Sequence, residues 1–176
     1  MRARDIVRDG ATVRIRPLTR EDLQSTLTWR NAPESLRWFK TAQPLQWDSH
    51  LAWYENYRAG TGDDCMYFVE TLAGEGVGQA SIYNVDAAMR QAEVGRFLSD
   101  PALRGRGLFR EALLLTLEVA FRDMSLHKVY LEVREDNQRA IRLYESVGFH
   151  QSGAADSGLI RMELDREAFP MASGVE

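Results

Sequence analysis

The spacing of apolar residues changes between a strand period and a helix period along the first third of the chain. Val and Ile alternate with Arg over residues 13–16, and a proline follows, which predicts a short half-buried strand. Thr19 precedes Asp22 by three residues, a capping-box arrangement that predicts the start of a helix reaching about Arg30. A second helix is predicted over about 48–58.

The rest of the chain alternates further strands with two helices. The longest amphipathic pattern spans Leu108 to Met124, and a shorter helical pattern over 137–147 is stopped by Gly148. Runs typical of strands lie at 66–70, 77–85, 93–98, 128–133, near 149 and at 159–164. The order β-α-α-β-β-β-α-β-α-β-β predicts an α/β fold with a mixed sheet, followed by a frayed tail in the last few residues.

Composition narrows the class of protein. We expect one domain over residues 1–176, because this length buries most of its unfolded surface in a single core. The net charge of −4 disfavours nucleic acid as a partner. Cys65 is the single cysteine, so no internal disulfide is possible. We find neither a signal peptide nor a stretch long enough to span a membrane, and we expect a cytoplasmic protein without a membrane partner.

The segment between the third strand of the middle region and the long helix is rich in glycine and arginine. Gly105 and Gly107 permit a tight turn, and Arg104 and Arg106 supply cationic donors beside a helix N-terminus, an arrangement that suits a diphosphate. The same glycines could simply shape a turn that carries solvated arginines. A P-loop is excluded because no Lys-Ser/Thr pair follows, and the dinucleotide fingerprint lacks its third glycine.

A second segment, residues 137–149, makes the pattern specific, because it matches the other half of a two-part family signature. The two together resemble the GNAT superfamily of acetyltransferases over about residues 65–150. In the family's Gln/Arg-x-x-Gly-x-Gly/Ala turn, Arg104 and Gly107 fill the first and fourth places, and Phe109 departs from the last. The family's second signature is an Asn, then a helix with Leu-Tyr, then Gly-Phe. It is matched by Asn137, Leu143, Tyr144, Gly148 and Phe149.

The resemblance implies a GNAT-like fold in which a mixed, mostly antiparallel sheet is flanked by helices and two strands splay to form a cleft for acetyl-CoA, the cosubstrate. Backbone amides at Phe97, Leu98 and Ser99 would bind the acetyl carbonyl and the pantetheine arm. Asn137 would bind the arm too, or would cap its helix, or both. The pyrophosphate would be held by Arg104, Gly105, Arg106, Gly107, Leu108 and Phe109.

The resemblance also implies the catalytic groups. Tyr144 matches the family's general acid, which protonates the departing sulfur. Glu93 lies four residues before Phe97, where histone-type members keep a glutamate base. His50 is the second candidate base, and a water chain is the third possibility. No group of residues has metal-ligand spacing, so we expect no metal.

We expect the acceptor to be the primary amine of a small molecule. All four tryptophans lie between residues 29 and 53, either as a packed lid or as an aromatic and cationic pocket. The candidate substrate-binding residues are Trp29, Arg30, Asn31, Arg37, Trp38, His50 and Trp53. Their order resembles acetyltransferases of the pseudaminic-acid pathway type, which implies a nucleotide-linked amino sugar. A protein N-terminus, as in the ribosomal-protein branch, is the alternative acceptor.

Two further points stay open at this stage. The domain could bind acetyl-CoA without catalysing transfer, as a sensor module, although Tyr144 and Asn137 favour an enzyme. The quaternary state is either a monomer or a homodimer, since no coiled-coil seam is visible and both occur in the family.

Overall fold

The computed structural model describes residues 2–39, 41–154 and 156–170. Its centre is an eight-stranded sheet in the order β1-β2-β3-β4-β5-β6-β8-β7. The strands are β1 Arg8–Asp9, β2 Val13–Pro17, β3 Cys65–Thr71, β4 Gly76–Asp86, β5 Gln91–Ser99, β6 Lys128–Arg134, β7 His150–Ala154 and β8 Leu159–Asp165. The tail predicted at the carboxyl end lies outside the described residues.

Five α-helices cover the sheet in the described part of the chain. They are α1 Leu23–Asn31, α2 Pro33–Leu36, α3 Trp47–Ala59, α4 Leu108–Glu118 and α5 Gln138–Ser146. The predicted capping box is confirmed, since the Thr19 backbone N–H donates to Asp22 Oδ2 at 2.8 Å. It caps the 3₁₀ turn Arg20–Asp22, which leads into α1 at Leu23. None of the described helices is both long and apolar enough to cross a membrane.

The middle of the sheet contains its one parallel pair. β5 and β6 pair over three residues only, and the last partners are Glu93 and Tyr130. β5 nevertheless continues to Ser99 and β6 to Arg134, so the two strands separate beyond these partners. All other neighbouring strands are antiparallel. The predicted α/β class, with a mostly antiparallel sheet and two splayed strands, is confirmed.

The two faces of the sheet carry separate apolar clusters. Tyr67 and Val69 of β3 join the main core, which also contains buried residues of α4 and α5. Met66 and Phe68 alternate with them along the strand and therefore face the other side. There they form a smaller cluster with Leu18, Leu23, Trp29 and Leu98, covered by aromatic residues of α3. The cleft between β5 and β6 is thus bounded by two differently packed layers.

Three local features differ from the sequence-based expectation. The short helix α2 begins at a proline, the residue that suits the first helical position because its missing N–H is not needed there. The long helix is α-helical only to Glu118, and Val119–Asp123 forms a π-helical turn closed by the Met124 N–H to the Val119 carbonyl at 3.0 Å. A two-residue strand, β1, also precedes β2.

Candidate active site

A β-bulge shapes the edge of the cleft. In the antiparallel register of β4 and β5, Arg96 and Phe97 stand opposite the single residue Ala80. Arg96 has a φ of +50°, in the left-handed region that side chains other than glycine rarely adopt. Neither the β4 register nor the β6 register gives Phe97 a partner. The backbone around Phe97 is therefore turned out of the regular ladder at the point where β5 leaves β6.

The glycine-rich turn follows β5 and leads into α4. Gly105 has a φ of +82° and Gly107 a φ of +76°, and Gly107 is the N-cap residue of the helix. A Cβ added to either glycine would meet no atom within 4 Å. The glycines are therefore required by backbone conformation, and the turn presents an open surface with Arg106 exposed beside the first amides of α4. Such a surface suits a diphosphate.

Arg104 ties this turn to the helical layer on the other side. Its Nε donates to Ser99 Oγ at 3.2 Å, and its Nη2 donates to Ser35 Oγ of α2 at 3.0 Å. Burial, followed by the positive charge of Arg139, lowers the pKa of Arg104 below its usual value. The end of β5 and the helix α2 are thus joined through one half-buried guanidinium.

Three of the residues predicted from sequence come together in an aromatic group. The Phe97 ring centroid lies 5.9 Å from that of Tyr144 and 5.5 Å from that of Phe109. Tyr144 is 9% exposed, and burial raises the pKa of its phenol above the usual 10.0. Within the described residues, its hydroxyl has no hydrogen-bond partner. A protonated phenol without a partner, next to the splayed strand, has the properties of a general acid.

Asn137 is the N-cap residue of α5. Its Oδ1 accepts a hydrogen bond from the backbone N–H of Ala140 at 3.3 Å. Its amide nitrogen donates to no other described residue, so this donor is available to a ligand. The capping role expected from the sequence is confirmed, and the contact with the pantetheine arm stays a prediction.

Glu93 is held by two donors at the last point where β5 pairs with β6. The Tyr83 hydroxyl donates to Oε1 and Asn84 Nδ2 donates to Oε2, each at 2.8 Å. Burial and the bond to Glu93 raise the pKa of Tyr83, which keeps this phenol a donor. Tyr83 and Asn84 were not found by sequence reasoning. Tyr83 stands directly opposite Glu93 in the register, a relation that only strand pairing reveals.

The histidine among the candidate bases is buried in the helical layer. His50 is 5% exposed, its Nε2 lies 2.9 Å from Thr26 Oγ1, and its ring stacks on Trp53 at 5.5 Å. Burial and then the charge of Arg30 lower the pKa of His50, so the ring is neutral at pH 7. The described residues contain no group of three or more His, Cys, Asp or Glu that could hold a metal ion.

The remaining candidate substrate residues make packing contacts. The sequence left two alternatives open for them, a packed lid or an aromatic and cationic pocket, and these contacts fit the lid. Trp29 is 7% exposed and stacks on Phe68 at 5.6 Å. Asn31 exchanges two hydrogen bonds of 2.8 Å with the backbone of Leu45. Arg37 lies over the ring of Trp38, with its Cζ 4.5 Å from the centroid. Their contribution to acceptor binding stays a prediction.

Two arginines on this side have no acidic partner among the described residues. Arg30 lies over the ring of Phe39 at 3.8 Å, and its Nη1 is buried without a hydrogen-bond partner. Arg96 is exposed and lies over the ring of Tyr83 at 4.1 Å. A single aromatic ring therefore connects Arg96 with the carboxylate of Glu93.

The splayed parallel pair and the glycine turn at a helix N-terminus are the features that the resemblance to acetyl-CoA-binding proteins implied, and a bulge lies at the splay. Comparison with known proteins agrees with this assignment. The family model described as acetyltransferase (GNAT) domain matches residues 12–150, and the chain belongs to that family. The expected activity, that of an acetyl-CoA-dependent N-acetyltransferase, is confirmed at this level.

Similar proteins act on different amines. The spermidine N(1)-acetyltransferase of Escherichia coli strain K12 is 29% identical over 151 residues, covering 81% of this chain and 75% of that protein. The aminoglycoside N(6')-acetyltransferase type 1 of Klebsiella pneumoniae is 24% identical over 97% of this chain and 91% of that protein. The structure of spermidine N-acetyltransferase from Vibrio cholerae with CoA and spermine superposes with a TM-score of 0.81 at 22% identity, covering 90% of this chain and 98% of that one.

Proposed function

We propose that this chain, acting as a single catalytic domain, transfers the acetyl group of acetyl-CoA to the primary amine of a small molecule that also carries an anionic group. A nucleotide-linked amino sugar has this chemistry. The observation that carries the proposal is the position of the Arg96 guanidinium over the Tyr83 ring, whose hydroxyl donates to Glu93. Arg96 Nη1 also donates to Met66 Sδ at 3.8 Å, and this guanidinium has no acidic partner among the described residues. When the amine of an acceptor lies near Glu93, a phosphate of the same molecule can then bind the Arg96 guanidinium.

The proposed reaction is a direct attack. The amine nitrogen forms a bond to the thioester carbonyl carbon while the carbon–sulfur bond breaks, and the electron pair of that bond leaves with sulfur. Glu93, directly or through water, takes the proton that the amine loses. Tyr144 donates its phenolic proton to the sulfur, so that CoA leaves as a thiol. Backbone amides near Phe97 stabilise the negative charge that develops on the carbonyl oxygen.

The distance along β5 favours water as the link between Glu93 and the amine. Glu93 precedes Phe97 by four positions, which would span about 13 Å in a fully extended strand; the left-handed Arg96 between them makes this an upper bound. Glu93 and Tyr144 also lie on different faces of the sheet. Glu93 accepts a hydrogen bond from Tyr83, which packs against the smaller cluster, whereas Tyr144 belongs to the main core. The acid and the base would thus approach the thioester from opposite sides of the sheet.

A polyamine is the second candidate acceptor. Its support is the similarity to the spermidine N(1)-acetyltransferase of Escherichia coli. The charges described above weigh against it, because a polycation gains from carboxylates, whereas Arg30 and Arg96 here have no acidic partner among the described residues.

The test is a panel of amines with acetyl-CoA, in which thiol release is followed with a colorimetric reagent. The panel contains UDP- and dTDP-linked amino sugars, spermidine, an aminoglycoside and a peptide with a ribosomal-protein N-terminus. We expect the highest kcat/KM with a nucleotide-linked amino sugar. A higher kcat/KM with spermidine or the peptide would contradict the proposed acceptor and identify another. Binding of acetyl-CoA without transfer to any amine would indicate a sensor module.

A charge variant sharpens this test. Arg96→Gln should lower kcat/KM for the anionic acceptor by about tenfold or more, because a charge-assisted hydrogen bond is lost. The same change should leave turnover of spermidine unchanged or raise it. Arg20→Gln is the matched control, since Arg20 is an exposed arginine beyond the proposed site. Equal losses on both acceptors in Arg96→Gln would contradict the role of its charge.

A further inference from the structure

A buried amide side chain lies behind the bulge of β5. Gln79 of β4 is 4% exposed, and its Nε2 donates to the backbone carbonyl oxygen of Arg96 at 3.1 Å. The opposite orientation of the amide would bring two oxygens together, so the hydrogen bond itself determines which end of the side chain faces the bulge. Gln79 is therefore a donor to one particular peptide group.

That peptide group also contains the N–H of Phe97. The peptide bonds of the described residues are all trans, and in a planar trans peptide the C=O and the N–H point in opposite directions. A bond that holds the Arg96 carbonyl toward Gln79 thus turns the Phe97 N–H away from Gln79. It also polarises the peptide, which strengthens the N–H as a donor.

The other end of the Gln79 amide has no evident structural benefit. Its Oε1 is buried and has no hydrogen-bond partner in the described part of the chain. Leaving a buried acceptor unpaired costs stability that an apolar side chain of similar volume would not lose. Packing alone therefore does not explain an amide here, whereas its donor does.

We propose that Gln79 is a positioning residue, which orients the Phe97 N–H toward the thioester carbonyl oxygen of acetyl-CoA. This inference rests on the proposed acetyl transfer and deepens it. The Arg96 backbone has a positive φ, which a regular strand would not keep, and the bond from Gln79 holds it in that conformation. The left-handed Arg96, Phe97 without a register partner and the buried Gln79 donor then act together to orient one peptide group.

Two substitutions separate this role from simple packing. Gln79→Met keeps nearly the same volume and removes the donor. Ser81→Ala is the control, because Ser81 is fully buried two residues further along β4 and its hydroxyl likewise has no described partner. We expect kcat to fall about ten- to hundredfold in Gln79→Met, with the KM for acetyl-CoA nearly unchanged. Ser81→Ala should retain kcat within about twofold.

A spectroscopic readout does not depend on the acceptor. Acetyl-CoA labelled with carbon-13 at the thioester carbonyl is bound to each variant, and the carbonyl stretch is measured by infrared difference spectroscopy. A hydrogen bond from the Phe97 N–H lowers this frequency, so wild type and Ser81→Ala should give a lower value than Gln79→Met. This measurement tests the positioning role even if no amine on the panel is acetylated.

Gln79→Glu supplies a variant that regains the donor with pH. A protonated carboxyl donates to the Arg96 carbonyl, whereas a carboxylate repels it, so kcat relative to wild type should rise as the pH is lowered. Equal carbonyl frequencies in wild type and Gln79→Met would overturn the proposal, as would a loss confined to the KM for acetyl-CoA. Equal losses of kcat in Gln79→Met and Ser81→Ala would also overturn it.

Discussion

Tyr144 shows how the burial of one side chain sets its chemistry. Its phenol is almost enclosed by Phe97 and Phe149, whose ring centroids lie 5.9 and 6.0 Å away. Burial raises its pKa because the phenolate would lose its hydration. The proton is therefore retained at physiological pH and is available to a leaving thiolate.

Tyr144→Phe should lower kcat by about 10²- to 10⁴-fold and leave the affinity for acetyl-CoA nearly unchanged, because only the proton donor is removed. Steady-state kinetics and calorimetric titration with acetyl-CoA would measure the two effects. In wild type, loss of rate from ionisation of this phenol should begin only above its usual pKa of 10.0. Tyr54→Phe is the control, because Tyr54 lies in α3 and its hydroxyl donates to the backbone carbonyl of Leu18. Unchanged kcat in Tyr144→Phe would contradict the acid role.

At the scale of elements, α1 and α3 are joined by a buried polar pair. His50 of α3 lies 2.9 Å from the hydroxyl of Thr26 of α1, and neither residue is more than 5% exposed. The neighbouring charge of Arg30 opposes a second positive charge in this layer. The helical layer over the smaller cluster is therefore built around a neutral histidine.

The free energy of unfolding should depend on this histidine in acid. Its pKa is lowered in the folded state, so below the usual value of 6.5 the unfolded chain takes up a proton that the folded chain does not. Stability should then fall as the pH drops through 6.5, by at most about 1.4 kcal/mol per pH unit.

Denaturant unfolding at pH 7.5 and 5.5 would measure this dependence. His50→Gln should reduce the difference between the two pH values, because glutamine can bond to Thr26 without titrating. The exposed His127 provides the control, and His127→Gln should keep the wild-type difference. If the free energy of unfolding changes as much between pH 7.5 and 5.5 in His50→Gln as in wild type, other groups cause the loss of stability in acid.

At the scale of the whole molecule, the cleft divides the sheet into two parts that are weakly joined. Only three residue pairs connect β5 to β6, whereas β6 and β8 pair over seven residues. A ligand that fills the cleft would contact both parts, the glycine-rich turn and α5. Binding of acetyl-CoA should therefore stabilise the fold as a whole.

Saturation at about 100 times the dissociation constant adds about 2.7 kcal/mol to the free energy of unfolding. For a chain of this length, that corresponds to a rise of about 5–10 °C in Tm. Thermal unfolding with and without acetyl-CoA would measure it. Adenosine 3′,5′-bisphosphate lacks the pantetheine arm, binds fewer of the predicted contacts and should give a much smaller rise at the same concentration. No rise with acetyl-CoA would contradict the assignment of the cleft.

Local chemistry determined much of this protein from the sequence alone. The alternation on β2, the cap at Thr19 and the glycines of the turn were predictable, because each depends on neighbouring residues. Phe109 and Tyr144 were each named as site residues by matching two separate motifs, and their common contact with Phe97 became visible only in the structure. The acetyltransferase family was recognisable for the same reason.

Only the tertiary structure decided which residues support the site. The bond from Tyr83 to Glu93 and the bond from Gln79 to the bulge depend on the register of β4 against β5, and a bulge shifts that register without a local sequence signal. The tryptophan-rich segment was ambiguous for a similar reason. Whether Trp29 packs or binds depends on Phe68, a residue 39 positions away that only the folded chain brings into contact.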